Sequence, residues 1–175
     1  DINGDGLITF PDDKQKVINL NPDFFGGINN HVKYKNWSLD FLFQFIKQKN
    51  TNISMGAPGR RNFNQPVRFI NSWQEQDDQS PHQMYTSGTN SSVMSAQSLY
   101  ENSDSMITDA SFIRLKNIAL SYNIPLKGSS TKCKLFLEAQ NLLTFTKYKD
   151  GDPEFTSAGF LPPLRIINAG VQFQF

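Results

Sequence analysis

The chain holds one cysteine, Cys133, among 175 residues. A single thiol closes no intrachain disulfide and supplies no multi-cysteine zinc site, so a disulfide scaffold and a zinc ribbon are both excluded. An excess of either charge is also missing: 17 Lys and Arg stand against 16 Asp and Glu, scattered along the chain. No basic field exists to hold a phosphate backbone, and no nucleic-acid partner is expected. Long apolar runs are absent too. None reaches the ~20 residues of a transmembrane helix, and the mean hydropathy is −0.47. That value leaves a membrane β-protein open, because strands that alternate lipid-facing and lumen-facing residues dilute the average. Catalytic constellations are lacking as well. His31 and His82 stand alone, no serine sits in a nucleophile elbow, and the Asp77, Asp78 pair lies in a Gln- and Ser-rich polar run. No enzyme is expected. Asp1 opens the sequence without an initiator methionine or a basic-then-apolar leader, so the expectation is a part of a longer chain whose targeting segment lies upstream or was removed.

Aromatic residues are plentiful, 13% of the chain and led by 15 Phe, which favours strands over helices. Alternation with a period of two is clearest at Trp37, Leu39, Phe41, Phe43 and Phe45, whose intervening face carries Ser38, Asp40 and Gln44 with Leu42 and Ile46. Ile167, Ala169, Val171, Phe173 and Phe175 alternate in the same way with Asn168, Gly170, Gln172 and Gln174. Residues 132–143 set Cys133, Leu135, Leu137 and Ala139 against Lys134, Glu138 and Gln140. Residues 111–124 place Ile118, Leu120, Tyr122 and Ile124 on one face, but Arg114 and Lys116 share that parity. The expectation is that this strand rises above the bilayer before its charged half begins; a bulge that resets the register is the alternative. A fifth, weaker strand covers residues 25–35 through Ile28, Val32 and Tyr34. Residues 66–74 are expected to form a short helix and 97–102 a turn of one.

The connections alternate. Short links fall around Asn36 and at residues 125–130, and long polar ones at 50–109 and 144–163. Bacterial barrels alternate short periplasmic turns with long outer loops in this manner, so the fold class is all-β: antiparallel up-and-down strands, the C-terminal segment of a large transmembrane β-barrel. Residues 1–21, 50–109 and 144–163 would then lie outside the cell, with 164–175 as terminal strand. Tyr34, Trp37, Tyr122, Phe173 and Phe175 would sit at the periplasmic interface and Phe45 and Phe145 at the outer one. Five strands cannot close a useful barrel, so partner strands are expected elsewhere.

One acidic run suggests an ion. In residues 1–12, Asp1, Asn3 and Asp5 stand at the first three ligand positions of a calcium loop, Gly6 permits the turn, and Leu7 offers its carbonyl. Asp12 occupies the place of the usual bidentate Glu, which predicts weak calcium binding or a preference for Mg²⁺; an ordinary polar loop is the alternative. Trp73 and Tyr85, in the long 50–109 link, are candidates for stacking on a sugar or peptide.

Several segments resemble the SusC/RagA class of TonB-dependent outer-membrane receptors of Bacteroidota. They are residues 1–8, then Asn21, Pro22, Asp23 and Phe24 to Gly27, then 110–117 running to Tyr122, then 140–148, then Asp152, Pro153 and Glu154. The stretch from Tyr148 to Asp152 is one residue longer than the family pattern. The resemblance implies a barrel of about 22 strands around a plug, located in the outer membrane and energised through TonB. It also implies import of glycans or peptides with a SusD-like surface lipoprotein as lid. Val171, Phe173 and Phe175 resemble the strand signature read by the barrel-assembly machinery. The competing expectation is a secreted, calcium-binding β-sandwich, a carbohydrate-binding module whose Phe-rich face packs on a second sheet.

Overall fold

The computed structural model describes residues 1–10, 12–53, 56–60, 64–126, 131–149, 151–155 and 161–175. The expected turn at 125–130 and the stretch 148–152 lie partly outside the described residues, at 127–130 and 150. The chain divides into two compact units, one of Leu20–Asn50 with Asp109–Phe175 and one of Asp1–Asn19 with Thr51–Thr108.

The first unit is a five-stranded antiparallel sheet. Its strands are β1 (Phe24–Tyr34), β2 (Trp37–Lys47), β5 (Phe112–Ile124), β6 (Lys132–Thr146) and β7 (Ile166–Gln174), in the spatial order β1-β2-β5-β6-β7. Two three-residue strands that the sequence pattern did not signal, β3 (Lys49–Thr51) and β4 (Ile107–Asp109), pair with each other. Tyr34 pairs with Trp37, so Lys35 and Asn36 alone join β1 to β2, with Lys35 at φ 52°. A left-handed residue in a two-residue hairpin lets the turn follow the twist of its strands. The Asn36 carbonyl accepts from the Asn123 amide at 2.9 Å, which ties this turn to β5.

The register corrects the reading of β5. Leu42 pairs with Asn117 but Phe43 pairs with Leu115, so Lys116 is an extra residue. On the other side Asn117 pairs with Gln140 and Leu115 with Leu143, and Asn141, in the bulged stretch of β6, takes φ 52°. The alternative held open for the sequence therefore applies: a bulge resets the register. Ile113 and Leu115 rejoin the apolar face, while Arg114 turns to the polar one opposite Gln44. The strand does not have to leave an apolar environment to accommodate its charges. β6 also runs on to Thr146, three residues beyond the expected end.

Two glycines make room for rings. A Cβ on Gly26 would stand 2.7 Å from Phe45 Cζ, and one on Gly170 would stand 2.5 Å from Phe136 Cζ. Each ring lies across the neighbouring strand at a place where only glycine leaves the space.

The second unit has a small core of Ala57, Pro58, Phe69, Ser72 and Met106. Residues Val67–Asn71 form a 3-10 helix within the predicted 66–74. A full α-helix, α1 (Ser91–Glu101), replaces the single turn expected at 97–102. The Asn90 side chain caps it, accepting from the amides of Ser92 and Val93 at 3.1 and 3.3 Å. That cap satisfies two of the donors that a helix start leaves open.

Candidate membrane-facing surface and loop clamp

One face of the five-stranded sheet is apolar across its width. Ile28, Val32 and Tyr34 of β1 share it with Trp37, Leu39, Phe41, Phe43 and Phe45 of β2. It continues through Ile113, Leu115, Ile118, Leu120 and Tyr122 of β5, then Leu135, Leu137, Ala139, Leu143 and Phe145 of β6. Ile167, Ala169, Val171 and Phe173 complete it on β7. Many of these side chains are exposed; Ile28, Leu137, Phe145, Val171 and Phe173 are among them. Within this unit no second sheet covers them among the described residues. From Trp37 to Phe45 the band extends about 27 Å along the strand, or roughly 20 Å of height at the usual barrel tilt. Aromatic residues collect at both ends. Trp37 and Tyr122 meet at 4.6 Å between ring centroids, and Phe173 stacks near Phe175 at 6.4 Å. At the other end Phe45 lies opposite Ile113, which lies opposite Phe145.

The opposite face carries Asn29, His31 and Lys33 with Ser38, Asp40 and Gln44, then Arg114, Asn117 and Ser121, and beyond them Glu138, Gln140, Asn168 and Gln172. His31, which stands alone in the sequence, meets Asp40 across the hairpin at 2.6 Å.

The strongest polar cluster lies on this face and was not anticipated. Arg114 is 1% exposed. Its Nη2 donates to both Asp152 carboxylate oxygens at 2.7 and 2.6 Å, and its Nη1 donates to Glu154 Oε2 at 2.8 Å. Nε donates to the Thr144 hydroxyl at 3.1 Å, and the guanidinium lies 5.0 Å from the Phe112 ring centroid. Lys116, the extra residue of the bulge, reaches the same Glu154 oxygen at 3.3 Å. Gln48 donates to the Pro153 carbonyl at 2.9 Å, and Pro153 is fully buried. A buried guanidinium needs paired, hydrogen-bonded carboxylates, and this one has two. The arrangement clamps the segment around Asp152, Pro153 and Glu154 to the wall. Two of the segments that carried the family resemblance thus meet in space.

Beside the clamp, the Asp109 carboxylate accepts from the Ser111 hydroxyl and, at 2.9 Å, from the Ser111 amide. Lys47 Nζ donates to it at 3.1 Å. The Ser111 bonds first, and then Lys47, lower its pKa to about 2.

The acidic loop turns its oxygens toward its own backbone. Asp1 accepts from the Gly6 amide at 3.0 Å, Asn3 from Asp5 at 3.2 Å and Asp5 from Leu7 at 2.8 Å. Asp13, which the motif did not single out, closes the loop by accepting from the amides of Ile2 and Thr9 at 2.6 and 2.7 Å. Those bonds, that to Thr9 first, hold its carboxyl below the usual range. Asp12 receives the Thr9 hydroxyl at 3.5 Å, and Pro11 lies outside the described residues. Among the described residues no three His, Cys, Asp or Glu side chains form a metal-holding group. Trp73 and Tyr85 both join the second unit's core region. Trp73 donates its amide to the His82 carbonyl at 2.9 Å, and the Tyr85 hydroxyl donates to the Phe69 carbonyl at 2.9 Å. Tyr85 remains half exposed.

No protein-family model matches the chain. TonB-dependent receptor P3 of Formosa agariphila is 31% identical over 160 residues, covering 88% of this chain and 15% of that receptor. TonB-dependent receptor P26 of the same organism is 28% identical over 168 residues, covering 91% of this chain and 16% of its own length. The solved RagAB peptide importer in its closed-closed state superimposes with a TM-score of 0.70 at 25% identity, covering 95% of this chain and 19% of that one. In the open-open state the TM-score is 0.64 at 24% identity, covering 89% and 17%. The chain thus spans 15% to 16% of the length of the curated receptors it matches. Sequence and structure thus agree: the chain is similar to TonB-dependent receptors, and its five neighbouring strands match part of the β-barrel of the RagAB peptide importer.

Proposed function

We propose that the complete receptor stands in the outer membrane and imports glycans or peptides by active transport. TonB supplies the energy through regions of the receptor outside this chain, and a SusD-like surface lipoprotein covers the mouth. The observation that carries the reading is the two-faced wall. An apolar band free of charge, backed by a polar face, suits lipid on one side and a hydrated lumen on the other. The likeness to a peptide importer and to named receptors, none of them an enzyme, supports transport over catalysis. On this reading the turn at Lys35 and Asn36 faces the periplasm, and residues 1–21, 50–109 and 144–163 face the medium.

Two local roles accompany it. Val171, Phe173 and Phe175 serve as the strand signature engaged by the barrel-assembly machinery. Asp1, Asn3, Asp5, the Leu7 carbonyl and Asp12 hold calcium, or magnesium, as a brace on the outer side. The test uses the full-length receptor in its own host. Disrupting its gene should abolish growth on either a peptide digest or a glycan digest as sole carbon source. The intact receptor should restore growth, and one lacking its TonB-contacting segment should not. A receptor that fractionates away from the outer membrane, or whose loss leaves uptake of both digests unchanged, overturns the proposal.

A further inference from the structure

Gln48 lies between β2 and β3 and belongs to neither, and Ala110 and Ser111 stand in the matching gap between β4 and β5. A ladder interrupted at a buried place must satisfy its amides and carbonyls by other means. Side chains take over part of that work. The Ser111 hydroxyl accepts from the Gln48 amide at 3.1 Å, and the Gln48 carbonyl accepts from the Ala110 amide at 3.1 Å. The Gln48 carboxamide divides its two N–H groups between two carbonyls. Nε2 donates to Ala110 at 3.3 Å and to Pro153 at 2.9 Å, and both residues are fully buried. One side chain thus fastens the end of the 50–109 link and the segment 152–154 of the 144–163 link. The shorter of its two bonds goes to the segment that Arg114 clamps.

We propose that Gln48 couples the ends of the two long links, so that the segment 152–154 and the pair Ala110, Ser111 open and close together. When the segment leaves, Pro153 takes its carbonyl with it and water reaches the Gln48 carboxamide. Nε2 then keeps only its longer bond, and the pairing of Gln48 with Ala110 loses its dry surroundings. Thr146 also touches both sides, donating to the Ser111 carbonyl at 2.8 Å and accepting from the Tyr148 amide at 3.1 Å. It pairs with Phe112 in the ladder of β5 and β6, so it stays in place when 152–154 departs. Coupling of this kind is reciprocal: whatever orders one end orders the other by the same factor.

Hydrogen exchange of the full-length receptor in lipid, read by mass spectrometry, tests this, because exchange at an amide follows the open population of its segment. Asp152→Ala releases the segment without altering β2 or β5. It should speed exchange at the Ala110 amide about fivefold, the effect of losing one hydrogen bond. In a Gln48→Met receptor, which keeps the stem and lacks the two N–H groups, the same change should add under about twofold. From the other end, Ser111→Ala should speed exchange at the Glu154 amide, which donates to Asp152 at 2.9 Å, about fivefold. Unchanged Ala110 exchange in Asp152→Ala overturns the proposal, and so does an equal increase with and without the Gln48 carboxamide. If Gln48→Met fails to give the heat-dependent gel shift of a folded barrel, the Ser111→Ala receptor decides: a Glu154 amide that exchanges there at the wild-type rate overturns the coupling.

Discussion

Replacing Arg114 by methionine keeps an unbranched stem of about the arginine's aliphatic length and removes the guanidinium at the centre of the clamp. The Arg114 side chain is 1% exposed and that of Asp152 10%, while Glu154 is 28% exposed and keeps Lys116 as a partner at 3.3 Å. The loss therefore falls on Asp152, whose charge is left without its bidentate donor. Breaking a buried pair by removing one partner costs about 3–5 kcal/mol, and the partial exposure of Glu154 argues for the lower end. At about 3 kcal/mol the open population of the segment rises roughly 10²-fold. Limited proteolysis of full-length receptor in lipid reads this directly, because cleavage within residues 147–155 follows the open population when reclosing is fast. Adding Asp152→Asn to the Arg114→Met receptor should recover most of the protection, since Glu154 keeps Lys116 and no unpaired charge then remains buried. Cleavage within threefold of wild type in Arg114→Met, and equally in Asp152→Ala, would refute the clamp.

Phe41→Arg places a charge on the lipid face near mid-wall and should cost about 2–4 kcal/mol in denaturant unfolding of the full-length receptor in lipid, against under about 1 kcal/mol for Gln172→Arg on the opposite face. Equal costs would contradict the facing assignment. Phe173→Ser combined with Phe175→Ser should lower the receptor recovered in the outer membrane, measured by fractionation, and unchanged recovery would count against an assembly signal. Calcium at about millimolar concentration should protect residues 1–20 from protease, and Asp1→Ala with Asp5→Ala should abolish the protection. Cleavage indifferent to both calcium and magnesium would remove the ion. The folded pKa of Asp109, about 2, lies below its unfolded value, so its contribution is complete above about pH 4 and fades as the pH falls toward 2. Ser111→Ala should move that fading to higher pH in a protease assay across residues 107–112, and an unshifted profile would exclude the Ser111 contribution.

Strands with uninterrupted alternation were readable from sequence. β2 and β7 need only a period of two, and their faces came out as expected because the odd positions stay apolar from Trp37 to Phe45 and from Ile167 to Phe173, even with Leu42, Ile46 and Ile166 on the other face. β5 was misread at Arg114 because a pattern counted along one strand cannot detect an extra residue whose only sign is its pairing with two neighbours. The long run of β6 was hidden by Asn141, whose left-handed backbone interrupts the alternation at the bulge. The clamp was illegible for another reason: Arg114 and Asp152 lie 38 residues apart, and nothing local to either announces the other. For α1 the Asn90 cap is a helix-start signal, but the serines of the first turn, Ser91 and Ser92, suit a loop equally well. In the acidic loop the spacing drew attention to Asp12, while the amides that need an acceptor face Asp13.

Lys116 can be viewed as an insertion that the wall has absorbed. Without it, β5 would alternate cleanly, with Ile113, Leu115, Ile118, Leu120 and Tyr122 against Arg114, Asn117, Ala119, Ser121 and Asn123. With it, an unbulged strand would present Arg114 on the apolar face and Leu115 on the polar one. The bulge therefore acts like a compensating change after a frameshift, restoring the sense of every residue beyond it. β6 stays in phase by a different count. It spends two residues, Asn141 and Leu142, where β5 spends one, so its own parity is conserved. A one-residue change of length at this level on either strand alone would put the pair out of phase, which makes the bulge a place where neighbouring strands can vary only together.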